Sequence, residues 1–301
     1  MINPQELKKL VENYPKLVTA KRSIRYPELR VLKYTKKVFY DNLWNAHPLL
    51  VECRGLVVDN DYNVVVKPFT KVFNYQENGT KIDRDELCTI VRKVNGFLGV
   101  ATPWKDQVII STTGSLDSKY VELADKWIEP FKERILEFKQ VSVSFEIIDM
   151  SDPHIICEKE GAYLIGSSFL DGNSATEDDL DYGHSLYGIG DFRPEWQADI
   201  RFSDVLKLVN TVKHEGFMVY GQESGTVLKL KSPYYLVSKL FGRMGVERLL
   251  KGLDKQSNFG IDEDFYPVVD YLRYNKDQFI QMDEQEKIKF VRDFIETEIL
   301  K

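Results

Sequence analysis

Lys93 stands in the string Arg92-Lys93-Val94-Asn95-Gly96, a lysine two residues ahead of an Asn-Gly pair, at the head of a β-type segment. A lysine amine that loses its proton is a nucleophile, and a small Asn-Gly pair lets backbone approach a ligand closely. Alone the string is weak, because a solvated turn lysine has the same look. Three companions follow it in order. Glu146 lies in the apolar run Ser144-Phe145-Glu146-Ile147-Ile148, and Glu215 leads into Gly216-Phe217-Met218-Val219. Lys229 and Lys231, in Leu228-Lys229-Leu230-Lys231, share one strand face because strand side chains repeat every two residues. Singly, each has an ordinary reading: a paired acid at a strand mouth, a turn acid, a solvent-facing edge. Together and in this order they are more than coincidence.

The chemistry explains the residue types. An amine with an unperturbed pKa of about 10.4 must be depressed by desolvation or cationic neighbours before it attacks at neutral pH. Lys229, Lys231, Arg54 and Lys71 are the candidates for that positive field. The same cations would neutralise phosphates and a departing pyrophosphate, which is most of what phosphoryl transfer asks of a protein. Glu146 and Glu215 offer the hard oxygen ligands that magnesium prefers, or a grip on a ribose.

Two strings upstream narrow the reading: Glu52-Cys53-Arg54-Gly55, and Lys67-Pro68-Phe69-Thr70-Lys71-Val72-Phe73-Asn74. With Ser111-Thr112-Thr113-Gly114-Ser115 after the lysine, the set resembles the covalent nucleotidyltransferase superfamily. Within it, the resemblance narrows to the bacteriophage-type ATP-dependent RNA ligases that repair broken transfer RNA. The resemblance covers roughly residues 30–235. It implies Lys93 as the residue that takes up AMP, with Lys229 and Lys231 as catalytic partners. It further implies nucleotide contacts from Arg54, Lys71, Phe73, Asn95, Gly96, Glu146, Lys229 and Lys231. By the same resemblance, Glu146 would contact the ribose and Glu215, with Glu146, would help bind Mg2+ or Mn2+. The expected cofactors are therefore ATP and a divalent metal, and the expected partner is RNA with 5′-phosphate and 3′-hydroxyl ends, a nicked transfer RNA among the options. The string Ser111–Ser115 departs from the pattern, with Thr112 and Thr113 where relatives commonly place a basic residue before the glycine. Two alternatives remain open: a DNA ligase or mRNA guanylyltransferase of the same superfamily, and a non-catalytic RNA-binding module.

The elements that must position these residues are partly legible. Residues 4–14 read as an amphipathic helix, with Leu7, Leu10 and Val11 at helical spacing. Residues 29–73 have β texture, Val38-Phe39-Tyr40 included, with a turn at Asp59-Asn60-Asp61. Strands are expected over 89–100, 107–111, 141–149 and 162–170. A helix is expected over 116–138, with Tyr120, Leu123, Trp127, Phe131 and Leu136 on one side. The acidic, Gly-rich stretch 171–199 reads as a long surface connection with little regular structure. A helix over 203–212 precedes a hairpin around Glu223-Ser224-Gly225. From residue 235 only helical patterns remain, over 236–250, 266–273 and 284–300. The fold class is therefore α+β. An antiparallel-sheet-rich domain over 1–234, which the resemblance makes an ATP-grasp-like nucleotidyltransferase, precedes a small all-α domain over 235–301.

Composition limits the rest. The chain has 301 residues, 43% hydrophobic and 29% charged, which is ordinary for a globular protein needing no staples. The N-terminus has no apolar leader core, and the three cysteines are scattered, so a cytoplasmic location and no structural zinc are expected. The net charge of −6 would discourage a nucleic-acid partner if charge were evenly spread, but it is not. From Asp171 to Asp199 eight acids face one base, Arg193; from Arg201 to Lys251 nine bases face four acids. In that basic stretch Lys239, Arg243, Arg248 and Lys251 are candidate phosphate contacts, with a solvated helix face as the ordinary reading.

Overall fold

The computed structural model describes residues 2–244, 251, 253 and 263–300. The end of the helix expected over 236–250, and Arg248 with it, lie outside the described residues. In chain order the first elements are α1 (Pro4–Asn13), β1 (Val18–Arg22), β2 (Arg30–Tyr34), α2 (Lys36–Tyr40), β3 (Arg54–Val58), β4 (Val64–Val66) and β5 (Phe73–Asn74). Next come β6 (Leu87–Arg92), β7 (Phe97–Trp104), β8 (Gln107–Thr112), α3 (Lys119–Ile128), α4 (Lys132–Leu136), β9 (Val141–Ile148) and β10 (Gly161–Phe169). The rest are α5 (Glu177–Tyr187), β11 (Trp196–Arg201), α6 (Phe202–Val209), β12 (Gly216–Gly221), β13 (Val227–Lys231), α7 (Pro233–Lys239), α8 (Tyr266–Tyr274), α9 (Lys276–Gln281) and α10 (Glu284–Phe294). The class is α+β with largely antiparallel sheets and helices at the C-terminal end. Among the described residues no helix is long and apolar enough to cross a membrane.

The chain divides into two compact units, one of residues 1–71, 96–153 and 158–194, the other of 72–95, 154–157 and 195–301. The first unit holds two four-stranded sheets, ordered β1-β2-β3-β4 and β10-β9-β7-β8. Its centre is β9, every residue of which is buried. The sequence Val141-Ser142-Val143-Ser144-Phe145-Glu146-Ile147 alternates, so period two assigns its faces. Val143, Phe145 and Ile147 pack against the helical layer of α3 and α4. Ser142, Ser144 and Glu146 therefore lie on the opposite face, where Val100 and Leu98 of β7 meet Val31 and Val57 of the other sheet.

The second unit is built on a five-stranded sheet, β11-β6-β12-β13-β5, antiparallel except where β5 joins β13. Leu228 and Leu230 of β13 and Phe217 and Val219 of β12 enter a core that also holds α6, α7, α8 and Val291 of α10. Sheet and C-terminal helices thus share one apolar interior. The change at residue 234 is a border between element types inside this unit.

Several local expectations are corrected. Val38-Phe39-Tyr40 belongs to the one-turn helix α2, not to a strand. Three apolar residues are too few to express either period. The buried side of the 116–138 region is Val121, Ala124, Ile128, Phe131 and Ile135, whereas Tyr120 and Leu136 are exposed. Gly99 of β7 approaches α3 so closely that a Cβ there would lie 3.0 Å from Ala124 Cβ, so a small residue faces the sheet at that point.

The 171–199 stretch is also more regular than its composition suggests. It contains α5 and part of β11, and α5 opens on a capping box between Thr176 and Asp179. Arg193, the one base among eight acids, has a side chain only 7% exposed and donates to Glu177, Asp181 and the Leu164 carbonyl. Some of those acids therefore clasp an arginine instead of forming a solvated face.

Candidate active site

Lys93 follows the last residue of β6, and its backbone N–H donates to the Gly216 carbonyl at 2.9 Å. That bond fixes the lysine beside the start of β12, where Glu215 stands. Lys93 Nζ then lies 3.2 Å from Glu215 Oε2, and Lys231 Nζ lies 3.3 Å from Glu215 Oε1. Asn95 is buried and donates from Nδ2 to Glu215 Oε2 at 2.8 Å, while its Oδ1 accepts from the Ile156 N–H at 3.0 Å. Three residues spread over more than a hundred positions of sequence thus meet on the carboxylate of Glu215, a residue 2% exposed.

The electrostatics follow from that geometry. Burial alone would raise the Glu215 carboxyl, but Lys93 and Lys231 outweigh it and hold it below its ordinary value. Lys231 shows the mirror image: burial would lower it, and Asp264 and Glu215 hold it well above the usual lysine value. One partner of the Lys93 ammonium is therefore an acid. That acid is itself clamped by a second lysine.

Lys229 and Phe73 belong to the same sheet: Phe73 pairs with Leu228 and Asn74 with Lys229 in the parallel β5–β13 ladder. The Tyr75 N–H donates to the Lys229 carbonyl at 2.9 Å.

The remaining candidates lie in the first unit. Glu146 Oε1 accepts the Gly96 N–H at 3.0 Å. The glycine is required by space: a Cβ at residue 96 would stand 2.4 Å from the Ile147 carbonyl oxygen and 2.5 Å from Ile148 Cδ1. Gly96→Ala should push the chain away from β9, break the bond to Glu146 and cost about 1–3 kcal/mol, read as a lowered melting temperature. An unchanged melting temperature would show that the backbone there yields freely.

Arg54 opens β3 and is half-buried. Lys71 is buried, with Nζ 5.4 Å from the Trp44 ring centroid and 5.6 Å from that of Phe39. The two upstream strings are coupled: Glu52 accepts from Lys67 Nζ at 2.7 Å and from Thr70 Oγ1 at 3.1 Å. Gly55, at φ +91°, abuts the Ser111–Ser115 segment, where a Cβ would lie 2.8 Å from Thr113 Cα. A basic group also stands beside the glycine of that segment, since Lys33 Nζ is 3.0 Å from where a Gly114 Cβ would be. It comes from β2, a source that no string inspection would suggest.

Sequence reasoning missed Asp264, which accepts from Lys231 Nζ at 2.6 Å and Lys239 Nζ at 2.7 Å. Its surroundings carry no motif. Lys239 is mostly buried against this acid, so the ordinary reading of a solvated lysine does not hold there.

A family model for RNA ligase matches residues 52–235, more than half of the chain. The chain belongs to the RNA ligase family, and its substrates are accordingly RNA. Among solved structures it is similar to an archaeal ATP-dependent RNA ligase, described in a form 2 and a form 1. One has a TM-score of 0.60 at 12% identity, covering 100% of this chain and 80% of that one. The other has 0.57 at 14% identity, with the same coverage of 100% and 80%. A provisionally named ATP-dependent DNA ligase from Aquifex aeolicus is equally similar, with a TM-score of 0.61 at 13% identity over 98% of this chain and 81% of that one. At such identities these likenesses establish the fold alone, and the family match carries the enzyme class. No curated protein matches the chain.

Proposed function

We propose that the protein is an ATP-dependent RNA ligase acting through a lysyl-AMP intermediate on Lys93. The observation that carries this reading is the placement of Lys93 Nζ and Lys231 Nζ on opposite oxygens of the buried Glu215 carboxylate. Lys93 Nζ forms an N–P bond to the α-phosphorus of ATP as the bond to pyrophosphate breaks, and the amine loses a proton. Glu215 Oε2 orients Nζ and is placed to receive that proton. A 5′-phosphate oxygen of RNA then displaces Lys93, which regains its proton, and a 3′-hydroxyl attacks the RNA-adenylate and releases AMP.

Lys229 and Lys231 are assigned to the nucleotide phosphates. Arg54, Lys71, Phe73, Asn95, Gly96 and Glu146 are assigned to nucleotide binding. The functional division follows the sequence texture, with adenylyl transfer assigned to residues 1–234 and a helical module to 235–301.

Among the described residues no group of three or more His, Cys, Asp or Glu is placed to hold a metal ion. One or two carboxylates still fit magnesium, which keeps waters and binds largely through substrate phosphates. Glu215, with Glu146, would hold Mg2+ or Mn2+, which supplies charge neutralisation at the phosphates when bound.

The fit to RNA ends with 5′-phosphate and 3′-hydroxyl groups, a cleaved transfer RNA among them, and a cytoplasmic location belong to the same proposal. Incubation with α-labelled ATP or GTP and magnesium tests it: label should enter the protein from ATP. Labelling from GTP alone would overturn the ligase reading. A panel of single-stranded, nicked-duplex and cleaved stem-loop RNAs then identifies the strand that is sealed.

A further inference from the structure

Three side chains of the second unit converge on a carboxylate that no motif contains. Asp264, in the Glu263–Phe265 turn ahead of α8, has a side chain 2% exposed. Its Oδ2 accepts from both Lys231 Nζ and Lys239 Nζ, at 2.6 and 2.7 Å, and its Oδ1 accepts from Asn74 Nδ2 at 3.1 Å. The next residue, Phe265, is 1% exposed in the core shared by sheet and helices, which holds the acid in place. Lys239 reaches it across the rings of Tyr235 and Phe265.

The contacts form one line of alternating charge: Lys93, Glu215, Lys231, Asp264, Lys239, at 3.2, 3.3, 2.6 and 2.7 Å. Without Asp264 the Lys231 and Lys239 ammonium groups, both on its one oxygen, would repel each other. An exposed pair would contribute little, and apolar residues stabilise a core at least as well as a buried ion cluster does. A buried carboxylate that brings two cations together therefore calls for a role beyond packing. Two adjacent ammonium groups make charge-assisted hydrogen bonds to neighbouring phosphate oxygens.

We propose that Asp264 is a positioning residue for the first chemical step, holding Lys231 and Lys239 side by side as one site for the polyphosphate of the nucleotide. On this account the C-terminal helices serve lysyl-AMP formation and not RNA recognition alone. The inference rests on the proposed function above.

The test uses the full chain with Asp264→Asn, Asp264→Glu and Lys239→Met. Pyrophosphate binding, measured by calorimetry without divalent metal, should weaken about tenfold or more in Asp264→Asn and Lys239→Met. The KM for ATP in lysyl-AMP formation should rise by a similar factor with a smaller change in kcat, and Asp264→Glu should recover part of both. The ATP-dependent step should fall about tenfold further than sealing of pre-adenylylated RNA, which brings no polyphosphate. Unchanged pyrophosphate binding in both Asp264→Asn and Lys239→Met would overturn the proposal. So would an equal loss of both sealing reactions together with a lowered melting temperature, the mark of a purely structural acid. A wild-type protein that forms no Lys93-dependent lysyl-AMP would instead sink the ligase mechanism, and pyrophosphate binding would still report on Asp264.

Discussion

Lys93→Ala and Lys93→Arg are both expected to abolish labelling of the protein by α-labelled ATP, by at least about a thousandfold. The two variants separate chemistry from folding. Alanine removes one of two cations facing the buried Glu215 carboxylate, so it should also cost about 2 kcal/mol of stability, discounted because the Lys93 side chain is 21% exposed and Lys231 remains. Arginine keeps the charge and can keep the ion pair, but a guanidinium stays protonated and offers no nucleophilic lone pair. Lys93→Arg should therefore melt close to wild type and carry no acid-labile label. Label retained on Lys93→Arg would place the nucleophile elsewhere.

Glu215→Gln is expected to have the second-largest effect. The amide preserves size but leaves Lys93 and Lys231 facing a neutral group in a nearly closed site. Loss of the buried partner should cost about 3 kcal/mol, on the order of 5–10 °C in melting temperature. Lysyl-AMP formation should fall about 10- to 100-fold as Lys93 Nζ loses its orienting partner.

The pH dependence has a definite sign. The folded Glu215 carboxyl lies below its ordinary value of 4.5 because the two lysines outweigh burial. The unfolded chain therefore binds its proton first on acidification. The stabilisation is full above about pH 4.5 and fades as pH falls through the lower, folded value. The stability gap between wild type and Glu215→Gln should be constant above about pH 4.5 and close as pH falls below that value, a difference that cancels the other acids of the chain. A gap that widened on acidification would contradict the ion-pair account.

Part of this arrangement is written in local sequence. The two-residue alternation of β13 separates Lys229 and Lys231 from Leu228 and Leu230, and the spacing of Leu7 and Leu10 makes α1. The hairpin around Glu223-Ser224-Gly225 and the strand carrying Glu146 are likewise legible, because side-chain period and turn chemistry act between neighbours. The Thr176–Asp179 capping box is local too, but it sits in a run of acids and glycines whose composition resembles that of a surface connection.

The order of motifs was enough, from sequence alone, to single out Lys93 and its companions and to suggest an RNA ligase. What only the tertiary structure decided is who touches whom. Lys93 and Glu215 are 122 residues apart, and the β6–β12 pairing sets their 3.2 Å separation. Asp264 and Lys239 enter through packing of Phe265 and α7 against a core that no periodicity names. The physical reason is that short-range patterns encode which face a side chain takes. The sign of the charge it meets there depends on long-range pairing, which is settled only when the chain closes on itself.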